Sequence, residues 1–282
     1  MVEQKIKPMK DVSVVIVNYK MKDVLVACLK SLYLDISKSD LDISVVVVDN
    51  NSEDGLRHAL MREFPSVLCV ELGENVGFGA AQNRGIEAVL ARYYFILNPD
   101  TYFNPKKKTV QPLFNFMEKH RKVGVIGPKV LYPDGTLQYS CWRFPTFLQP
   151  FFSRTFLGEK GLGRRCSSTY FMKDFNHLHT IPVDAVMGSA LFVRRDALKE
   201  VGGFDERYFM YFEDIDWCRR FWEAGWPVYY VHDIVLTHIH GRGSAKVAGF
   251  FSALIKNKLT RDHIRSWLRY TWKWYGNKKF YG

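Results

Sequence analysis

The stretches VSVVIVNYK (residues 12–20) and ISVVVVDNNS (residues 43–52) decide the fold. Each is an apolar, mostly β-branched run that stops abruptly at polar side chains, the pattern of a parallel strand buried on both faces. Residues 24–34, between them, carry apolar side chains at helical spacing, so the chain opens as strand, helix, strand. The alternation continues with residues 57–63 as helix, 67–72 as strand, 79–91 as helix and 94–97 as strand. It predicts an α/β architecture with a mostly parallel central sheet flanked by helices. Ligands of such open sheets sit beyond the carboxyl ends of the strands, so Asn18, Asp49 and residues 98–100 should converge on one crevice.

Order is weaker in residues 136–182, which are rich in Phe, Arg, Gly and Ser and read as a mobile loop. Regular pattern returns with residues 190–193 as strand, 195–201 as helix, 214–224 as a helix stopped by Gly225 and Pro227, and 231–236 as strand. No apolar run approaches the roughly 20 residues that cross a bilayer as a helix. Residues 1–10 are polar and lysine-rich and precede no small-residue cleavage site, so secretion is not expected. Five dispersed cysteines without a C-x-x-C pair fit reduced thiols, and a cytoplasmic location is expected. The formal charge of +11 points to a polyanionic partner, whether nucleic acid, an anionic membrane or a phosphorylated substrate.

Polar residues punctuate the ordered segments where chemistry could reside. Asp49, Asn50, Asn51 and Ser52 close the second strand and could bind a base or ribose, or could equally serve as turn and capping residues. Residues 74–79, Glu-Asn-Val-Gly-Phe-Gly, allow close backbone approach to a ligand, or form a tight structural turn. In Asn98-Pro99-Asp100 the carboxylate suits Mg²⁺ or Mn²⁺ held mainly by phosphate oxygens and water. Glu213, Asp214 and Asp216 open a helix, so Asp214 could cap it while facing the crevice as a general base. His238 and His240 follow the last strand and could ligate a metal or be structural.

The combination is more specific than its parts. In order, VSVVIVNYK, VVVVDNNSEDG (45–55), ENVGFGAAQNRG (74–85), FILNPD (95–100), VMGSALFVRRDAL (186–198), GGFDERYFMYFEDIDWCRR (202–220) and HIHGRGS (238–244) resemble glycosyltransferase family 2, especially its rhamnosyltransferase-like members. The resemblance implies a GT-A fold, Rossmann-like in its sheet. Residues 1–250 would form the catalytic domain, with a nucleotide-sugar-binding half at 11–100 and an acceptor-side half at 101–250, and residues 251–282 a helical extension.

It also implies roles. Asn18, Tyr19, Asp49 and Asn51 would surround the donor base and ribose, Asn75 and Asn83 the nucleotide or sugar, and Asn98 and Asp100 the diphosphate. The family's D-x-D metal motif is Asn98-Pro99-Asp100 here, so only Asp100 remains to hold Mg²⁺ or Mn²⁺, with His238 as the completing ligand and His240 as the alternative. Asp214 matches the general base of an inverting displacement, with Glu213, Asp216 and Arg220 in support. Asp184, Gly188 and Trp217 would flank the acceptor.

In residues 251–282, Trp267, Tyr270 and Trp274 share one helical face while Arg265, Arg269 and Lys273 lie opposite. Either this basic, amphipathic tail rests on an anionic membrane, worth about 1 kcal/mol per basic residue, or its aromatics pack on the catalytic domain or across a dimer contact. The expected activity is transfer of a sugar, with dTDP-rhamnose the favoured donor, to a hydroxyl of a lipid-linked (polyprenyl-diphosphate) saccharide or a growing cell-surface polysaccharide, at the inner face of the plasma membrane. Nucleic acid is not an expected partner, because acidic residues line the crevice. Competing readings are a catalytically degenerate sugar-nucleotide binder, to which Asn98 lends weight, and a sugar-phosphate nucleotidylyltransferase, against which the absence of a lysine-bearing glycine-rich loop near the N-terminus counts.

Overall fold

In the computed structural model, which describes residues 9–147, 161–239 and 258–277, the two apolar runs form β1 (Lys10–Asn18) and β2 (Ile43–Asp49). They pair in parallel from Val12↔Ile43 to Asn18↔Asp49, which sets the last two polar residues side by side at the carboxyl edge. Helix α1 (Lys22–Ile36) connects them. Next come α2 (Leu56–Glu63), β3 (Leu68–Glu71), α3 (Phe78–Ala88) and β4 (Ala91–Leu97). Val14 and Ile16 pack on one face of the sheet with Leu25 and Leu29, while Val15 and Val17 pack on the other with Ala81 and Ile86. Burial on both faces is why these strands read as continuous apolar runs.

The second half adds β5 (Thr101–Tyr102), α4 (Val110–Lys119), β6 (Val125–Leu131), β7 (Leu137–Gln138), β8 (Cys141–Trp142), α5 (Gly161–Tyr170), β9 (Ile181–Pro182) and β10 (Ala185–Val186). It continues with β11 (Ala190–Arg194), α6 (Arg195–Val201), α7 (Glu213–Glu223), β12 (Val228–His238) and α8 (Lys258–Lys273). Residues 136–182 thus contain short strands and a helix among the described residues, where the sequence reads as loop. The main sheet runs β3-β2-β1-β4-β11-β6-β12-β5, with β7 on β6 and β9 on β12. Strand β11 is antiparallel to both β4 and β6, whereas β12 is parallel to β6. This reversal makes the sheet mixed, and it starts β11 at the carboxyl end of β4, where Asn98 N–H donates to Ser189 O at 3.0 Å.

Helix α4 escaped the sequence reading because its start is fastened from afar: the Asp35 carboxylate accepts from Thr109 N at 2.7 Å and Val110 N at 3.0 Å. The tail helix α8 docks on the catalytic domain. Tyr270 is buried, and Trp267 and Trp274 pack against the core cluster that holds Phe212 and Trp217. The aromatic face considered above for a membrane is therefore the docking face.

Helix α3 lies close on the sheet at Gly85, where an added Cβ would stand 2.2 Å from Val15 Cγ1 and 3.0 Å from Val48 Cγ2. An exposed helical Gly→Ala change gains about 1 kcal/mol, but here overpacking at a cost of about 1–3 kcal/mol should prevail. Gly85→Ala is expected to lower the midpoint of thermal unfolding; an unchanged or raised midpoint would show that α3 can lift off the strands.

Candidate active site

Asn18 and Asp49 end paired strands, and Asn98 follows β4 at the same carboxyl edge of the sheet. Several polar residues of that edge are occupied in building it. Asn18 is fully buried: its Nδ2 donates to Ser52 Oγ at 2.8 Å and its Oδ1 accepts from Met21 N at 3.3 Å. That side chain braces the loop after β2 rather than facing a ligand, a correction to its expected donor role. Asn83 is likewise a brace. Its Oδ1 accepts from Phe204 N at 2.8 Å and its Nδ2 donates to Phe204 O at 2.9 Å, so it clamps the loop before α7.

Asn50, which the sequence leaves between ligand binding and turn building, staples the next loop by donating to Asn75 Oδ1 and Gly77 O and accepting from Val76 N. Asn75 is held by that bond and by accepting from Gly77 N at 3.0 Å. Gly77 is required by close backbone approach, but to Phe209 and not to a ligand: its φ is 90° and an added Cβ would lie 2.3 Å from Phe209 O. Tyr19 is 44% exposed at the rim. Asp49 accepts from Ser52 N at 3.2 Å and is partly exposed, as is Asn51, whose φ of 61° turns the loop. Of the donor-side residues, Asn18 and Asn83 are buried, whereas Tyr19, Asp49, Asn51, Asn75, Asn98 and Asp100 keep some exposed surface.

At the end of β4, Asp100 Oδ1 stands 3.1 Å from His238 Nε2, and Asn98 Nδ2 lies 3.5 Å from the same nitrogen. The antiparallel pair β12–β5 produces this meeting, with His238 opposite Thr101. On its far side His238 Nδ1 lies 2.9 Å from Gln138 Oε1, which accepts from it and turns Nε2 toward the carboxylate. A ring nitrogen and a carboxylate oxygen so close need a proton or a cation between them. Neighbouring ligands of an octahedral ion at 2.0–2.1 Å stand about 3.0 Å apart, so the pair fits a divalent ion. Among the described residues no group of three or more His, Cys, Asp or Glu converges, and the remaining ligands would come from elsewhere. His240 lies outside the described residues.

Asp214 is in the first turn of α7, not at its cap; Phe212 holds that place in a left-handed conformation. One carboxylate oxygen of Asp214 accepts from Gly188 N and the other from Ile215 N, both at 2.8 Å. An added Cβ at Gly188 would stand 3.2 Å from Asp214 Oδ2, so the glycine allows the contact. Burial raises the pKa of Asp214 above the ordinary carboxylate value, against these hydrogen bonds. It also raises Glu213 well above its own, the neighbouring Asp214 charge adding to the effect. Glu213 Oε2 is buried without a hydrogen-bond partner among the described residues.

One acceptor-side expectation changes. Trp217 is fully buried, donates to Gly202 O at 2.9 Å and lies 3.9 Å from the Phe204 ring, so it is core and not a wall of the crevice. Asp184 accepts from Phe144 N at 2.7 Å and fixes the chain at the β8–β10 pair.

Asp216 anchors the helix that carries Asp214. Fully buried, it accepts from Lys273 Nζ at 2.8 Å, Trp274 Nε1 at 2.9 Å and Arg220 Nε at 3.0 Å. Lys273 also donates to Asp205 at 2.8 Å, and Arg219 bonds Tyr270 Oη and Asn277 O. Four charged groups and an indole from α7, α8 and the preceding loop thus share one buried node.

The fold and this crevice define a GT-A glycosyltransferase scaffold. Residues 13–202 match the profile of Glycosyl transferase family 2, and the chain belongs to that family. It is 31% identical over 215 residues to the N-acetylglucosaminyl-diphospho-decaprenol L-rhamnosyltransferase of Mycobacterium tuberculosis, a match covering 70% of this chain and 66% of that protein. It is 29% identical over 272 residues to the rhamnosyltransferase WbbL of Escherichia coli, covering 92% of each. Among solved structures, the mannosyltransferase PcManGT from Pyrobaculum calidifontis, in complex with GDP-Man and Mn²⁺, superposes with a TM-score of 0.57 at 19% identity, over 84% of this chain and 59% of that one.

Removing the ammonium at the buried node tests its importance. Lys273→Met should cost about 3 kcal/mol at neutral pH, as breaking a largely buried ion pair does. Arg207 first, and Lys273 after it, hold the Asp205 carboxyl far below the usual range. The stability from that depressed pKa is complete above the unfolded value of about 3.9 and fades as pH falls through the folded one. The gap between wild type and Lys273→Met in urea unfolding should therefore be full at neutral pH and shrink below about pH 4; a gap independent of pH would assign it to packing alone.

Proposed function

We propose that this chain is an inverting glycosyltransferase that moves a sugar from a nucleotide donor to an acceptor hydroxyl. The observation that carries this reading is Asp214, a buried carboxylate fixed by Gly188 N beside the strand-end crevice. Its raised affinity for protons suits it to take one from an alcohol. In the step, Asp214 accepts the acceptor's hydroxyl proton as that oxygen bonds to the anomeric carbon. The bond from carbon to the diphosphate oxygen breaks on the opposite face, its electron pair leaves with the nucleoside diphosphate, and configuration inverts. Asp100 and His238 would hold a Mg²⁺ or Mn²⁺ ion, which supplies neutralising charge to the leaving diphosphate. Gln138 orients His238, and Tyr19, Asp49 and Asn51 would receive the base and ribose.

Similarity to rhamnosyltransferases favours dTDP-rhamnose as the donor. A saccharide on a polyprenyl diphosphate is the acceptor suggested by the name of the mycobacterial relative. Among the described residues no helix is long and apolar enough to cross a membrane, so action at the inner leaflet would need a surface contact.

Purified wild type, Asp214→Asn and His238→Ala should be incubated with Mg²⁺ or Mn²⁺, a panel of nucleotide sugars and a lipid-diphosphate GlcNAc acceptor, with product read by mass spectrometry. Wild type should turn over, and Asp214→Asn should lose about 10²–10⁴-fold. The acid limb of kcat/KM should lie above the ordinary aspartate pKa of about 3.9, activity rising as Asp214 deprotonates. His238→Ala should weaken Mn²⁺ binding measured by electron paramagnetic resonance. Full activity in Asp214→Asn would remove it as base, and binding of one nucleotide sugar without turnover on any acceptor would favour a degenerate binder.

A further inference from the structure

Docking of α8 through one face leaves the other turned to solvent, and its composition is unusual for a water-facing surface. Trp272 is 85% exposed, Tyr275 86% and Leu268 52%. Arg265, whose side chain is 75% exposed and 3.6 Å from Asp262, and the exposed Arg269 lie among them. Asp262, the only acidic residue of α8, is buried. Beside this face runs an apolar groove of about 760 Å³ between the helix and Pro145 to Phe147, with Phe147 itself 59% exposed.

We propose that this outward face of α8 seats the enzyme on an anionic lipid bilayer, an inference that builds on the lipid-linked acceptor proposed above. Indole and phenol rings prefer the headgroup region, where an apolar body and a polar edge are both satisfied. Arginines beside them answer lipid phosphates, and no exposed carboxylate on the helix opposes that attraction. Position supports the same partner. The inner face of α8 touches the loop leading to Asp214, through Ser266 Oγ donating to Met210 O at 2.8 Å and the Phe212 and Tyr270 rings at 5.4 Å. A bilayer on the outer face would thus stand about one helix diameter, roughly 10 Å, from that loop. The buried node at Lys273 and Trp274 fixes the rotation of the helix, so the lipid face is presented rigidly.

The test is co-sedimentation with vesicles of phosphatidylcholine, with and without phosphatidylglycerol, in the absence of donor and acceptor. Wild type should bind the anionic vesicles, release with rising salt, and ignore pure phosphatidylcholine. Trp272→Ser/Tyr275→Ser should partition at least tenfold less while keeping its unfolding midpoint and its turnover of a short-chain, water-soluble acceptor. Arg269→Glu, altered only at an exposed side chain, should also lower binding, and it serves if the aromatic variant is unstable. Vesicle binding that survives both variants, or no wild-type binding at all, overturns the proposal. So does a wild-type dimer in sedimentation velocity that the aromatic variant dissolves, because the face would then be an interface between copies. Failure of turnover with every acceptor, vesicle binding intact, would count against the proposed reaction and not against this surface.

Discussion

Strand β11 runs against its neighbours β4 and β6, and that one reversal fixes where the chemistry can be. In a wholly parallel sheet the segment entering a strand lies at the far edge from the ligand crevice. Because β11 is inverted, its entering residues, 187–189, arrive at the carboxyl end of β4 beside Asn98. Gly188 N is then available to hold Asp214 at the start of α7, a helix that packs along one face of the sheet through Trp217, Cys218 and Phe221. The returning strand β12, parallel to β6, ends on the same edge and delivers His238 to Asp100. The loops after β1 and β2, the Asp100–His238 pair and Asp214 therefore stand on one edge of the sheet through strand direction.

That convergence packs acidic groups tightly, and the structure relieves them in different ways. Glu213, Asp214 and Asp216 all lie in the first turn of α7, where the helix dipole favours negative charge. Asp216 is matched by Lys273, Arg220 and the Trp274 indole, whereas the partners of Asp214 among the described residues are backbone N–H groups, those of Gly188 and Ile215 foremost. A carboxylate already neutralised by cations is a poor base, while one held by neutral donors keeps its appetite for a proton. Neighbouring positions on one helix thus differ in their partners, cations at Asp216 and neutral donors at Asp214, which suits the latter to the proposed role of base. The C-terminal helix supplies the anchoring cation, so it belongs structurally to the site.

The strand skeleton was legible because a strand buried on both faces writes itself as an uninterrupted apolar run, and both 12–17 and 43–48 do so. Site residues were legible as places more than as roles. Asn18 and Asn83 occur where a donor-binding amide would, yet their hydrogen bonds go to Ser52 and Phe204, because a loop rim must be braced before it can bind. An amide that braces and one that binds look identical in sequence. Gln138 had no signal: it is one polar residue in an aperiodic segment, and only the pairing of β7 with β6 carries it to His238. Trp217 misled in the opposite direction, since an aromatic near an acidic motif serves a core as readily as a sugar site.

The C-terminal helix shows most clearly what periodicity leaves open. Its aromatics occupy two directions, Tyr270 and Trp274 inward and Trp272 and Tyr275 outward, so amphipathicity alone names no buried face. Long-range polar partners decide it. Met210 O meets Ser266, Asp216 meets Lys273 and Trp274, and Glu223 meets Asn277, all separated by more than fifty positions in the chain. Once those bonds turn one face inward, the remaining face is left with arginines, a tryptophan and a leucine and without an exposed acid. A helix needed only to complete a core would gain nothing from a tryptophan held in water, whereas one that also meets a headgroup layer would. The same docking that orients α7 from within therefore selects which face α8 shows to its surroundings.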